Sequence, residues 1–211
     1  MDKRLIKLKR EVMEELWNWK NCAVKIKSLR GRLGFPDEPF LRFLKLKLSL
    51  ENGLVYDELT GLSLRQKYRM LLDIYCILSS YADAKPIHET SNLVTSKQLQ
   101  GGQYCNVAVT RAKSLIQSVF GSNSKMLVES AKILGGFEID FSYGDHSVRI
   151  NSLPLIPIVI VLLEEDSEFP ALAQFFFDES VSHYLELEQV GMLSELTAER
   201  LRQAHQFLMK R

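Results

Sequence analysis

Residues 153–163 read LPLIPIVIVLL, and this run of branched apolar side chains decides the fold class. A strand that is buried on both faces carries such a run, because neither face needs polar residues. Four acidic residues within 164–168 end the run abruptly. We therefore predict a central buried strand over residues 154–163, with the other elements packed around it.

Alternating patterns elsewhere predict antiparallel hairpins. Leucines alternate with lysine or serine over residues 44–50, which predicts a half-buried strand with a cationic outer face, and Asn52-Gly53 predicts the turn to its partner. Residues 137–142 also alternate, and Gly144-Asp145 predicts the turn into a returning strand. Residues 169–178, which contain three consecutive phenylalanines, are predicted to form a loop-rich segment.

Helical periodicity predicts about five helices. Apolar residues recur every three or four positions over residues 2–30, opposite a basic face, and glycines and prolines end this pattern. Ser63 and Gln66 have the spacing of a capping box, which predicts a helix that ends near Tyr81. Further helices are predicted over 104–120, over 124–134 and from about Glu186 to the C-terminus.

Together these elements predict an α+β fold, in which antiparallel β-hairpins and a buried central strand pack with about five helices. We assign residues 1–35 to an N-terminal basic amphipathic helix, which is either a detachable arm or a docking helix. Residues 36–211 are predicted to form a single α+β domain. With 211 residues, of which 46% are apolar, the chain can bury one such core.

The composition excludes several protein classes. With 11 Gly, 6 Pro and 3 Cys, the chain is not collagen-like, disordered or a disulfide scaffold. The net charge of +1 gives no general attraction to nucleic acid or membrane, and we predict neither as a partner. No apolar run is long enough to span a bilayer or to form a signal peptide, so we expect a cytoplasmic protein.

The charge is distributed unevenly along the chain. Residues 1–50 hold 13 basic and 6 acidic residues, whereas residues 151–211 hold 4 basic and 10 acidic residues. Either the two ends attract each other, within the fold or across a homodimer, or they are separate binding surfaces for a protein partner.

The sequence contains none of the short catalytic motifs that local spacing reveals. It has no glycine-rich phosphate loop, no GxSxG and no HExxH, which favours a non-enzymatic role. The three cysteines lack the spacing of a disulfide framework, a zinc site or an iron–sulfur site. The acids after the central strand, with Asp166 and Glu168 as candidate metal ligands, suit a hard cation or acid–base catalysis. The same acids also serve simply to end a buried strand.

His183 is the histidine that points most directly to a binding site. It closely follows the phenylalanine triplet, and a histidine beside an apolar cleft can ligate haem or cobalt. A buried histidine that is hydrogen-bonded to a carboxylate would give the same sequence. The candidate cofactor-binding residues are His183, Tyr184, Phe177, Phe169 and Asp178.

Several short motifs are unusual as a set. Residues 153–157 read LPLIP, residues 166–170 read DSEFP, and residues 177–180 read FDES, ahead of YLELE at 184–188. Together with QLQGG at 98–102 they resemble the domain-of-unknown-function family 3786, over roughly residues 42–200. The resemblance implies the context of anaerobic bacteria and archaea, with low-potential, corrinoid or one-carbon metabolism. Some relatives carry cysteine-rich iron–sulfur segments, for which this sequence has no counterpart.

These observations lead to an expected function with two alternatives. We expect a cytoplasmic binding or accessory module for an apolar cofactor such as a tetrapyrrole or a corrinoid. The first alternative is a structural or protein-interaction subunit without a ligand, which pairs through its basic helix and acidic tail. The second is a metal-dependent enzyme that uses the carboxylates of residues 164–178.

Overall fold

The computed structural model describes residues 12–102 and 105–210, without the side chain of Gln66. Residues 1–11 of the predicted N-terminal helix lie outside the described residues. After a helical segment at 12–16, the described helices are α1 (Trp19–Lys27), a 3-10 turn (Leu64–Gln66), α2 (Tyr68–Asp83), α3 (Asn106–Phe120), α4 (Lys125–Ile133), α5 (Val181–Tyr184) and α6 (Leu187–Leu208). The strands are β1 (Phe40–Phe43), β2 (Leu46–Ser49), β3 (Val55–Asp57), β4 (Leu93–Val94), β5 (Phe137–Glu138), β6 (His146–Leu153), β7 (Ile156–Leu163) and β8 (Leu172–Asp178).

The strands form two antiparallel sheets, which with the helices confirm the α+β class. The small sheet has the order β1-β2-β3, and the main sheet has the order β4-β8-β7-β6-β5. The predicted central strand is confirmed, because β7 lies between β6 and β8 and is buried along nearly all of its length. It begins at Ile156 because Pro154 and Leu155 form the turn from β6.

The prediction of a loop-rich segment at 169–178 was wrong for most of its length. Residues 172–178 form β8, which pairs with β7 from Leu172 opposite Leu163 to Phe177 opposite Ile158. Three consecutive phenylalanines hid the alternation, since Phe175 and Phe177 enter the core whereas Phe176 lies on the other face.

The predicted strand over residues 44–50 is confirmed for Leu46–Ser49, which form β2 and pair with β3 after the predicted Asn52-Gly53 turn, but the strand does not include residues 44 and 45. The chain reverses at Leu44 and Lys45, which both adopt left-handed backbone conformations with φ of 48° and 57°. This conformation is unusual for such side chains. The carbonyl oxygens of both residues accept hydrogen bonds from the buried guanidinium of Arg200. A contact with a residue so distant in sequence leaves no local pattern.

The predicted helix over 2–30 is interrupted. Asn18 caps α1, because its side chain accepts a hydrogen bond from the backbone N–H of Asn21 at 3.1 Å. Helix α1 buries Cys22 and Ile26 and packs on α2, so this part of the predicted arm is docked on the rest of the fold. No described helix has both the length and the apolar character that crossing a membrane requires.

The main sheet has two different faces. Helix α3 packs on β8, α4 packs on β6, and α6 packs across both helices, so one face meets the helical core. The opposite face, which we call the open face, carries Val159 and Val161 from β7 and Gln174 and Phe176 from β8. The loop between β5 and β6 covers part of the open face, because a Cβ on Gly144 would lie 2.5 Å from Cγ1 of Val161.

Candidate functional site

His183, which we expected beside an apolar cleft, lies at the surface of the fold. Its side chain is exposed, and its Nε2 lies 2.8 Å from the carbonyl oxygen of Lys85. The neighbouring Tyr184 is buried, and its hydroxyl exchanges hydrogen bonds with the backbone N–H and carbonyl of Ile87 at 2.9 and 2.8 Å. Both residues therefore fasten the segment that follows α2.

Asp178 is buried and satisfied by its own chain. Its carboxylate accepts hydrogen bonds from the backbone N–H groups of Thr90, Ser91 and Ser180 at 2.8–3.0 Å, and from the hydroxyl of Thr90 at 3.1 Å. Burial opposes ionisation, but hydrogen bonds from Ser180 and Thr90 outweigh it and lower the pKa of Asp178. The carboxylate thus holds the 90–91 segment against the end of β8, whose Phe177 is fully buried beside it.

The remaining candidates lie at the other end of β8. Phe169 is 66% exposed, and Asp166 accepts hydrogen bonds from the backbone N–H groups of Glu168 and Phe169 at 2.8 Å. The seven residues of β8 span roughly 20 Å between these residues and Asp178. The structure therefore separates Phe169 from the other four predicted cofactor-binding residues, which lie near the segment at 85–91. Within the described parts of the chain, no three His, Cys, Asp or Glu side chains form a group that could hold a metal ion.

A different site lies beside β8, where the sheet edge is incomplete. Strand β4 pairs only with Asp178 and Phe177, so residues 172–176 have no partner strand on this side among the described residues. The chain leaves the edge at Thr95 and opens a cleft of about 400 Å³, which we call the lysine cleft. Its lining residues are Thr95, Ser96, Lys97, Lys113, Tyr143, Leu163, Leu172, Gln174 and Phe176.

The outer wall of the lysine cleft is a tightly fixed turn. The side-chain oxygen of Gln98 accepts hydrogen bonds from the backbone N–H and the hydroxyl of Thr95 at 2.8 and 2.9 Å. Gly102 packs directly on the backbone of Ser96, since any Cβ at this position would overlap the Ser96 carbonyl oxygen. Gln98 and Gly102 of the QLQGG motif thus support the wall of the cleft, which residues 95–97 form.

Aromatic rings form the floor of the lysine cleft on the open face. Phe176 packs on Phe141 with ring centroids 5.0 Å apart and on Tyr143 with ring centroids 6.2 Å apart. These contacts fix the positions of the Phe176 and Tyr143 rings, which line the cleft together with polar residues such as Gln174. A planar apolar molecule can pack on such a surface.

Two lysines provide the charge of the cleft. Lys113 extends from α3 past the unpaired edge of β8, and its Nζ donates a hydrogen bond to Oε1 of Gln174 at 2.7 Å. Burial lowers the pKa of Lys113, and the positive charge of Lys97 lowers it further. Lys97 is exposed and makes no ion pair or hydrogen bond with the described part of the chain. Among the described lining residues none is acidic, so neither lysine has a carboxylate partner in the cleft.

A second concave surface of about 370 Å³ lies by β5 and carries the opposite charge. Two of its three acidic side chains have partners within the chain, since Glu138 contacts Nδ1 of His146 at 2.6 Å and Asp145 accepts the backbone N–H of Glu164 at 2.7 Å, whereas the side chain of Asp140 makes no hydrogen bond or ion pair with the described residues.

No local sequence pattern predicted most of the lysine cleft. Lys97, Lys113, Tyr143 and Gln174 are far apart in sequence and meet only because β4 ends early and α3 lies beside β8. Two local signals pointed to this region, namely the phenylalanine triplet and the paired glycines at 101–102. Neither the phenylalanine triplet nor the glycine pair predicted that Lys97 and Lys113 lie in this region.

Comparisons with known proteins give a family. No curated protein and no solved structure matches the chain. One family model, described as a domain of unknown function (DUF3786), matches residues 61–200, a span that includes every residue that lines the lysine cleft. Since the match covers more than half of the sequence, the chain belongs to the domain of unknown function family DUF3786.

Proposed function

We propose that this protein is a binding module whose lysine cleft holds a small anionic molecule with a planar apolar body. The observation that carries the proposal is that Lys97 and Lys113 line one cleft without a carboxylate partner, above a floor of aromatic rings. Ligand sites in proteins are typically clefts of ~300–1,000 Å³ with apolar walls and a few placed polar groups, and this cleft has that character.

The positive charges of Lys97 and Lys113 favour an anionic ligand in the lysine cleft. Lys113 is half-buried and lies close enough to Lys97 for the two charges to disfavour each other. A bound carboxylate or phosphate would offset this repulsion. Gln174 accepts one hydrogen bond from Lys113 and leaves the other two N–H groups of the ammonium for a ligand.

Among anionic molecules with a planar apolar body, we propose a tetrapyrrole or a corrinoid as a candidate ligand. A tetrapyrrole combines a planar apolar ring with carboxylates, which is the chemistry that the cleft favours. No histidine is among the described lining residues, so we propose that such a cofactor would be held by its acidic groups and not through its metal. His183 would then have no part in binding.

The alternative of a metal-dependent enzyme has less support. Asp178 is saturated by hydrogen bonds from its own chain, and Asp166 holds a turn. The two carboxylates lie at opposite ends of β8, so they cannot act on one substrate atom.

Thermal unfolding with a panel of ligands tests the proposal. The panel contains pyridoxine 5′-phosphate, an aromatic dicarboxylate, haem and a corrinoid, because a ligand that binds the folded state raises the melting temperature. We expect at least one of them to stabilise the protein, and the stabilisation to be lost in the Lys97→Gln/Lys113→Gln variant.

The matched control is Lys20→Gln, which removes an exposed lysine from α1. It should keep the full stabilisation. Equal stabilisation of all three proteins would place binding outside the lysine cleft, and no stabilisation by any of the ligands would contradict the proposal.

A further inference from the structure

We propose that Lys113 forms an imine with the carbonyl group of a planar anionic aldehyde bound in the lysine cleft. This inference rests on the proposed function, because it requires that the cleft hold a ligand. It goes further by giving Lys113 a covalent role and by naming the reactive group of the ligand.

The position of Lys113 suits this reaction. Its Nζ is held 2.7 Å from Oε1 of Gln174, and the amide of Gln174 is itself oriented, because its Nε2 donates to the carbonyl oxygen of Phe175 at 3.2 Å. One N–H bond of the amine is therefore directed at Gln174. In the neutral amine the lone pair is left for a carbonyl carbon in the cleft.

The surroundings of Lys113 favour the neutral amine more than water does. Only a neutral amine is nucleophilic, and proteins obtain one by burying a lysine or placing it beside another cation. Burial and the charge of Lys97 both lower the pKa of Lys113. By contrast, hydrogen bonding to Glu129 raises the pKa of the exposed Lys132. Lys132 therefore serves as an internal control, which we expect to react less readily with an aldehyde than Lys113 does.

The chemistry balances without a redox partner. The lone pair of Lys113 attacks the carbonyl carbon and forms a C–N bond, while the carbonyl π electrons move to oxygen. A proton passes from nitrogen to that oxygen and gives a carbinolamine. Loss of water then breaks the C–O bond, so that an amine and an aldehyde yield an imine and one water molecule.

The other residues of the cleft define the rest of the ligand. The rings of Phe176 and Tyr143 provide a surface for an aromatic body, and Lys97 provides a cation for a phosphate or carboxylate. The ligand class is therefore an aromatic aldehyde that carries an anionic group. Pyridoxal 5′-phosphate has these three features and serves as the probe.

Borohydride trapping tests the inference. The protein is mixed with a limiting amount of pyridoxal 5′-phosphate and reduced with borohydride, and the labelled lysines are identified by peptide mass spectrometry. We expect the reduced adduct on Lys113 to appear first, ahead of Lys132 and the other lysines. Pyridoxine 5′-phosphate, which carries an alcohol in place of the aldehyde, should compete with this labelling.

Variants separate the two proposals. Lys113→Arg keeps the positive charge but cannot form an imine, so it should lose the adduct while pyridoxine 5′-phosphate still raises its melting temperature. Lys20→Arg should be labelled at Lys113 like the natural protein. Stabilisation by pyridoxine 5′-phosphate without preferential labelling of Lys113 would overturn the imine and leave the proposed function standing. Neither stabilisation nor labelling would overturn both.

Discussion

Arg200 is a fully buried guanidinium that joins α6 to the small sheet. It donates hydrogen bonds to the carbonyl oxygens of Leu44 and Lys45 at 2.9 and 3.2 Å, to Oδ1 of Asp57 at 2.8 Å, and to Gln203. Burial opposes ionisation of Asp57, but the hydrogen bond and charge of Arg200 outweigh it and lower the pKa of Asp57. This network explains how a left-handed turn of two ordinary residues is maintained.

The Arg200→Met variant should lose much of the stability of the fold. It would leave the carboxylate of Asp57 buried without its cation and would remove the hydrogen bond of Arg200 to the carbonyl oxygen of Leu44, which together typically cost about 3–5 kcal/mol. Equilibrium unfolding in urea measures this loss. The double variant Arg200→Met/Asp57→Asn should recover part of it, and a loss below about 1 kcal/mol in the single variant would show that the network is not structural.

Asp73 on α2 makes the stability depend on pH. Burial raises the pKa of Asp73 to about 6; Glu195 and Glu188 raise it as well, and Arg69 opposes them. Since the folded state binds this proton more tightly than the unfolded state, the contribution is fully present below the ordinary aspartate pKa. It is lost as the pH rises through about 6.

The Asp73→Asn variant should therefore be more stable than the natural protein above this pH. We expect a gain of about 1–3 kcal/mol that shrinks as the pH falls below the ordinary aspartate pKa, because the natural side chain is then protonated as well. Urea unfolding across this pH range checks the prediction. A gain that does not change with pH would mean that Asp73 does not titrate as stated.

At the scale of elements, the sequence predicted what local patterns encode. The central position of β7 and the helices α3, α4 and α6 are confirmed, because each has an uninterrupted period or a clear break at its ends. Strand β8 and the turn at Leu44 and Lys45 were missed. Their conformations depend on pairing with β7 and on Arg200, which no short window of sequence contains.

The lysine cleft could not be predicted for a related reason. It exists because β4 has only two residues and the chain then turns away at Thr95. A strand of that length gives almost no periodic signal. By contrast, the QLQGG motif at 98–102, which fixes the turn at Thr95, was visible in the sequence. The sequence did not indicate that this turn borders a cleft.

We predict that the cleft wall keeps its position only with glycine at residue 102. In Gly102→Ala the new methyl group would overlap the carbonyl oxygen of Ser96, so the wall of the lysine cleft must shift. Such overpacking typically costs about 1–3 kcal/mol. We expect lower stability and a smaller stabilisation by pyridoxine 5′-phosphate, both measured by thermal unfolding. The exposed neighbour Gln100→Ala is the control, and equal behaviour of the two variants would contradict the role of Gly102.

At the scale of the whole molecule, the ion pairs of the described residues bear on how the basic and acidic ends of the chain interact. Among the described residues, no ion pair joins residues 12–50 to residues 151–210. Lys25 pairs with Asp83, and Glu195 pairs with Arg111. Attraction between the ends across a homodimer and their use as separate binding surfaces both stay predictions.

We expect this self-association to depend on salt. Opposite charges on two chains attract at ~10 mM salt and are screened at ~1 M, where the Debye length falls to about 3 Å. Sedimentation velocity at the two salt concentrations should show dimers that dissociate as salt rises. A monomer under both conditions would exclude pairing through the charged ends.

A two-dimensional NMR titration of the isotopically labelled protein shows whether the lysine cleft binds a ligand. With pyridoxine 5′-phosphate, we predict that the shifted backbone amides cluster at residues 95–97 and 172–176, and that the Lys97→Gln/Lys113→Gln variant abolishes the shifts. Shifts that cluster around His183 and Tyr184, or no specific shifts at all, would contradict the account.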